Sequence, residues 1–307
     1  MIWLLHVIIG TGLFVIGTAV GSFLNVCIYR LPWQKSVIWP ASRCMSCMQP
    51  IASFDNIPVL SWLALRGECR NCGSRISARY PFVELLVGLL FLAVYLVDVA
   101  AGASLMFAPP AMAFLRMGYH LVLVAFLVMA TFIDYDLFII PDEVTVTGMV
   151  AGLVLGALVP SIRPEPAFAA THGGGLVVGL LGLAVGGGII WFFRIFGRLV
   201  FRREAMGFGD VTLMAMIGTF MGWQATILTL VLAAFLGLFQ AVQKILFNLG
   251  KRIMGHKLRS ADREIPFGPY LSLGALVLLL WWPWLWPAWG AAYFDGVHET
   301  IKFFMGA

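Results

Sequence analysis

The chain has 307 residues, of which 61% are hydrophobic and only 11% charged, with 20 basic against 15 acidic side chains and a mean hydropathy of +0.94. Soluble domains carry roughly a quarter charged residues, so this composition excludes an ordinary water-soluble domain and places the chain in a bilayer. Recurrent apolar runs and only five cysteines also exclude a disordered, collagen-like or disulfide-framework protein.

Eight apolar stretches follow in chain order: residues 1–28, 82–98, 117–133, 144–160, 173–193, 208–222, 224–247 and 266–287. Most reach the ~20 residues a helix needs to cross ~30 Å of hydrocarbon. None alternates with period 2 as a lipid-facing barrel strand does, so the backbone amides must pair within helices. The expected fold is an all-α polytopic membrane protein of about eight transmembrane helices with a small zinc-ribbon-like cytoplasmic insert. Its expected divisions are a first transmembrane helix (1–29), the insert (30–81) and a transmembrane bundle (82–307).

Orientation follows from Lys and Arg. Seventeen of the 20 basic residues fall after spans one, five and seven, in 30–79, 194–203 and 244–263; only Arg116, Arg163 and Lys302 lie elsewhere. The net charge of +5 therefore reports membrane topology, with no nucleic-acid partner expected. With eight spans the three clusters share one face, which the positive-inside rule makes cytoplasmic, with both termini outside. The sixth stretch is short and glycine-rich and by itself would suit a re-entrant segment. It is counted as a span because otherwise the cluster from Lys244 to Arg263 would sit on the wrong side. The first stretch carries no Lys or Arg before Arg30 and no small-residue cleavage pattern, so it is expected to remain as a helix. The tryptophans from Trp281 to Trp289 read as an interfacial belt.

Inside the insert, Cys44-x-x-Cys47 and Cys69-x-x-Cys72 are separated by 21 residues. Two such pairs are a zinc-ribbon signature, each knuckle supplying two thiolates to a tetrahedral ion. Four protein ligands leave no position for water, which makes the metal structural. Disulfides or free thiols are the alternatives, and a reducing compartment disfavours disulfides. Cys27, at the end of the first span, reads as a small buried hydrophobe.

So few carboxylates are present that each can be weighed. Asp98, at the outer end of the second span, and the carboxylates of the loops and tail read as solvated charges, and His120 and His172 as interfacial. Asp134 closes the third span and Asp210 opens the sixth, in Gly207-Phe208-Gly209-Asp210, both at the same boundary. Two carboxylates in one poorly hydrated site share a proton, so one can activate water while the other protonates a leaving group, which is aspartic-protease chemistry. Helix capping is the competing explanation for Asp210 and for Asp142 after Pro141. Gly207 and Gly209 would let the backbone at the helix entry approach a substrate closely.

These residues resemble the bacterial type IV prepilin peptidases, bifunctional leader peptidase and N-methyltransferase enzymes of the GxGD membrane aspartyl protease class. The resemblance spans nearly the whole chain. It rests on Gly21-Ser22-Phe23-Leu24-Asn25-Val26, Arg30-Leu31-Pro32, both CxxC pairs, and Arg79-Tyr80-Pro81 with Glu84. Further along it continues in Ile133-Asp134 with Pro141-Asp142, Gly207-Phe208-Gly209-Asp210, and Pro266-Phe267-Gly268-Pro269-Tyr270. It implies an inner-membrane endopeptidase that cleaves prepilin-like proteins after a glycine on the cytoplasmic side and methylates the new amino terminus with S-adenosylmethionine, in pilus biogenesis or type II secretion. Prepilins or pseudopilins, with a basic leader and a hydrophobic helix, are the implied substrates.

The resemblance places the catalytic aspartates at Asp134 and Asp210, with Asp136 and Asp142 as supporting residues beside the glycines. Asn25, Arg30, Glu84 and Gly88 become candidates for the methyltransferase. No glycine-rich loop after a strand argues for a Rossmann cofactor fold. The outer loop from Pro160 to His172 is longer and richer in proline than the family pattern. Two rivals remain: a transporter coupling to intramembrane carboxylates, which would place charges near the midplane of paired repeats, and a scaffold that recruits partners through the insert.

Overall fold

A computed structural model describes residues 2–100, 110–159, 162, 171–202, 206–253 and 266–285. Helix α1 spans Ile2–Arg30 and runs into a short 3-10 turn, Leu31–Trp33. The insert that follows contains a 3-10 turn at Ser53–Asn56 and the single-turn helix α2, Leu60–Ala64. Then come α3 (Arg79–Tyr95) with a π turn at Leu96–Ala100, α4 (Pro110–Leu137), α5 (Asp142–Leu158), α6 (His172–Phe201), α7 (Phe208–Ile253) and α8 (Gly268–Leu285). Helices α1, α3 with its π turn, α4, α6 and α7 are long and apolar enough to cross a membrane, and α8 carries a shorter apolar run. The chain is a multi-pass helical membrane protein, as its composition requires.

Helix α7 covers both the sixth and the seventh predicted spans. Gly222, with φ 76° and ψ 172°, is non-helical and divides it. Its two halves both reach Gly186 of α6. A Cβ built there would stand 2.4 Å from Met214 O and 2.9 Å from Thr226 Cγ2. Residues 214 and 226 would lie ~18 Å apart on one straight helix. The chain therefore reverses at Gly222, where only glycine adopts this backbone without a Cβ penalty, and the short sixth stretch is a helix of its own.

Small residues bring the helices together, the arrangement expected where lipid supplies no hydrophobic drive and close van der Waals packing must hold a bundle. A Cβ on Gly17 would fall 2.8 Å from Gly88 Cα, and one on Gly21 2.7 Å from Glu84 Cα, so α1 and α3 touch backbone to backbone. Gly182 of α6 meets Gly218 of α7 more closely still, with a built Cβ only 2.0 Å from the opposing carbonyl. Leu123, Leu127 and Ile133 of α4, Leu213 and Ile217 of α7, and Leu271 of α8 form the fully buried centre. Large side chains on the outward faces, such as Val177 and Leu180 of α6, are exposed, as helix faces toward lipid are. Trp281 and Trp284 are exposed at the end of α8; Trp286 and Trp289 lie outside the described residues, as does most of the segment from Pro160 to His172.

The solvated reading of Asp98 is overturned. It is 3% exposed, and its Oδ2 lies 2.7 Å from Nδ1 of His120, which is thus a partner inside the bundle. The π turn of Leu96–Ala100 breaks the regular helical repeat, as single π turns do. Nearby, Tyr95 is fully buried and its hydroxyl meets His6 Nδ1 at 2.7 Å. Charged groups this deep persist only when paired.

Candidate active site and thiol cluster

Asp134 sits in the last turn of α4, 6% exposed, and Asp210 in the first turn of α7, 8% exposed. Asp134 Oδ2 accepts a hydrogen bond of 2.9 Å from the backbone N–H of Gly268, the first residue of α8. A helix N-terminus presents unpaired amides and partial positive charge, so it is a natural cradle for this carboxylate. A Cβ on Gly268 would lie 2.6 Å from Asp134 Oδ2 and 3.0 Å from Ile140 Cδ1; only glycine permits the contact.

Ile140, 8% exposed, is the keystone between the two carboxylates. It touches Gly268 on one side, while a Cβ on Gly209 would stand 2.9 Å from Ile140 Cβ on the other. Asp134 and the residue before Asp210 thus pack about the same side chain. The two aspartates lie within electrostatic reach of one another, and Asp210 accepts a hydrogen bond from the backbone N–H of Gly207. That bond refines the capping alternative. With α7 starting at Phe208, Asp210 is the third helical residue, and its carboxylate reaches back to the cap amide as in one half of a capping box. The small size of Gly209 serves the approach of Ile140. At Gly207 a Cβ would meet Asp210 Oδ2 at an ordinary 3.7 Å, so space does not explain that glycine.

The two neighbouring aspartates have other surroundings. Asp136 pairs with Arg79 at 2.5 Å, and the Arg79 guanidinium lies 5.2 Å over the Phe132 ring. Asp136 therefore ties the start of α3 to the end of α4. Asp142 is exposed as the first residue of α5, after Pro141 at the cap position. It makes no described side-chain cap bond.

At the junction of α1, α3 and the insert, Asn25 Nδ2 donates to Tyr80 O at 3.1 Å, and Glu84 Oε2 accepts from the Val59 N–H at 2.7 Å. Val59 has φ 60°, a strained conformation for a β-branched residue, and the buried Glu84 carboxylate holds it there. Arg30 donates to the carbonyls of Ser36 and Pro40 at 3.0 and 2.7 Å, pinning the loop that leaves α1. Gly88 faces Thr18, Phe14 and Gly17 in the α1–α3 contact, so its visible task is packing.

The four cysteines of the CxxC pairs converge, their Sγ atoms all within 4.8 Å of one another. Cys44 and Cys72 stand 3.8 Å apart, far too long for a disulfide and close to the ~3.8 Å edge of a tetrahedron with ~2.3 Å metal–sulfur bonds. The two knuckles repeat one turn: Met48 N–H donates to Cys44 O and Gly73 N–H to Cys69 O, each at 2.9 Å. Met48 and Gly73 both have positive φ. No strand occurs among the described residues, only the isolated bridges Arg43 with Pro50 and Glu68 with Arg75. The ribbon is reduced to its two knuckles. Hydrogen bonds from the Cys47 backbone and the Ser74 hydroxyl pull the Cys44 thiol down to about 5, favouring the thiolate that binds metal. The cluster fits a tetrahedral, thiophilic ion.

Sequence reasoning named both aspartates and all four thiols. It missed Gly268 as a donor and Ile140 as the wedge. The only sequence trace of the former was a Phe-Gly-Pro at the mouth of an apolar run, which says nothing of where its amide points.

Two family models match the chain: the Bacterial Peptidase A24 N-terminal domain over residues 15–97 and the Type IV leader peptidase family over residues 121–242. Proteins named prepilin leader peptidase/N-methyltransferase are similar along most of their length. The one from Myxococcus xanthus is 36% identical over 89% of this chain and 90% of its own. That of Aeromonas hydrophila is 34% identical over 87% and 89%, and that of Pseudomonas putida 34% over 87% and 88%. No solved structure matches. Identity of this extent, over a chain whose two matched regions carry the thiol knuckles and the paired aspartates, shows that the protein belongs to the type IV leader peptidase family.

Proposed function

We propose that this protein is an inner-membrane prepilin leader peptidase and N-methyltransferase whose peptidase centre is Asp134 and Asp210, facing the cytoplasm. The observation that carries the reading is that two buried carboxylates lie within electrostatic reach of one another at the insert end of the bundle, Asp134 held by Gly268 and Asp210 following Gly209, with both glycines packed on Ile140. One proton is shared between them. The ionised carboxyl takes a proton from water as its oxygen attacks the scissile carbonyl, and the protonated one hydrogen-bonds the carbonyl oxygen as it gains charge. Collapse of the tetrahedral intermediate expels the amine, which leaves with a proton. The amide of Gly268 keeps Asp134 oriented through the cycle, and Arg79 with Asp136 locks the α4 end that carries it.

The seventeen basic residues on one face support a cytoplasmic site, and the substrates are prepilins or pseudopilins. The four thiols hold Zn²⁺, which staples an insert too small to bury its own core. For methyl transfer, Asn25 and Glu84 each spend one polar atom on the backbone and keep a second for a ligand, with Arg30 at the end of the same helix as Asn25. S-adenosylmethionine supplies the methyl group there when bound. A transporter is not favoured, because the buried pair lies at the ends of helices α4 and α7.

Asparagine preserves shape and capping, so Asp134→Asn and Asp210→Asn should each lower cleavage of a prepilin-like substrate by at least about a hundredfold with helical content unchanged. Near-wild-type cleavage by both variants would refute the assignment.

A further inference from the structure

A cavity of about 1090 Å³ opens at the end of α4 that carries Asp134, with the next residue, Tyr135, on its wall. Helices α3 and α4 pack together, α4 packs on α8, and α8 on the second half of α7, so α4 and α8 form a floor between α3 and α7. Leu86 and Leu90 of α3, Val128 and Phe132 of α4, and Leu276 and Leu280 of α8 make an apolar trough. Its insert end is continuous with the candidate active site, because Tyr135 follows Asp134 directly and Pro266 and Pro269 bracket Gly268. Two turns of a helix ~10 Å across occupy about 850 Å³, so the trough accepts such a segment.

The α7 flank differs from the rest. Gln240, Gln243, Lys244, Phe247 and Asn248 line the cavity at helical spacing, so they form one stripe. Gln240 and Gln243 are exposed, and amide side chains turned toward lipid are costly without a polar partner. A peptide bond held inside a helix has its carbonyl engaged and its backbone shielded, so the segment that joins the hydrophobic helix to the cut must be unwound, and its free amides and carbonyls need hydrogen-bond partners at the membrane edge.

We infer that this trough seats the hydrophobic helix of the polypeptide substrate, with the α7 amide stripe holding the unwound backbone that leads to Asp134. The inference rests on the peptidase reading and deepens it. Lys244 and Asn248 extend the stripe toward the insert end.

A photo-crosslinking residue at Val277, in the full-length Asp210→Asn protein, tests this in membranes that contain a prepilin-like transmembrane substrate. Adducts with the substrate are expected at Val277, and none at Leu180 on the outer face of α6. In the active protein Leu276→Trp should raise KM about tenfold with kcat nearly unchanged, the pattern of lost uniform binding. Adducts to lipid alone or to this chain's own segments, or an equal yield at Leu180, overturn the trough. Cleavage by Asp134→Asn and Asp210→Asn would instead overturn the peptidase reading, so the two failures are distinguishable. If the tryptophan variant does not fold, the crosslinks decide.

Discussion

Gly268→Ala is a one-methyl probe of the proposed active site. The added Cβ would lie 2.6 Å from Asp134 Oδ2 and 3.0 Å from Ile140 Cδ1. Non-bonded carbons sit about 3.5 Å or more from their neighbours, so the carboxylate or the start of α8 must move by roughly an ångström. The contact strained by that move is the 2.9 Å amide bond to Oδ2, a hydrogen bond to a charged group of the kind worth about 1.5–3 kcal/mol. Displacement of a reacting group by about 1 Å costs on the order of a hundredfold in rate. The variant should therefore cleave a prepilin-like substrate about a hundredfold more slowly, through kcat, while its helical circular dichroism and bound-metal content match wild type. Gly188→Ala is the control, since a Cβ there meets nothing within 4 Å. Wild-type kcat in Gly268→Ala would show that the α8 amide does not position Asp134, and would remove the structural argument for a preorganised pair.

Other outcomes follow from the same geometry. Cys44→Ser/Cys72→Ser should lose bound zinc, read by elemental analysis, from about one ion per chain to near none; unchanged content would exclude the four-thiolate site. Asp136→Asn, which breaks a half-exposed pair with Arg79, should cost no more than about 1 kcal/mol in thermal unfolding and far less activity than either catalytic variant. Three Arg70 hydrogen bonds and its charge hold the Asp55 carboxyl below the usual carboxylate range. A depressed folded-state value stabilises the insert above the ordinary carboxylate range, and that contribution is lost as pH falls through the depressed value. Protease sensitivity of the insert should thus rise with acidification in wild type, and the rise should flatten in Asp55→Asn.

Hydrophobic length and the thiol knuckles were legible because both are local. A span needs only enough consecutive apolar residues, and a CxxC pair needs only one tight turn. Gly222 divided two runs that composition alone left ambiguous, and its backbone explains why the short run is a helix in its own right. Asp98 was misread for the converse reason. Its neighbours along the chain gave no sign of His120, 22 residues away, which lets the charge be buried.

The linear chain determined the solvent this protein lives in, the helical means of crossing it and the thiol pairs of its insert, and it singled out the two carboxylates proposed for hydrolysis. Which groups face those carboxylates was decided only by packing. The Gly268 amide is 134 residues from Asp134, and Ile140, in the loop between α4 and α5, meets Gly209 and Gly268 at the starts of two other helices. Such contacts depend on where small residues let backbones close to within van der Waals range, a property of pairs of surfaces that no single stretch of residues encodes.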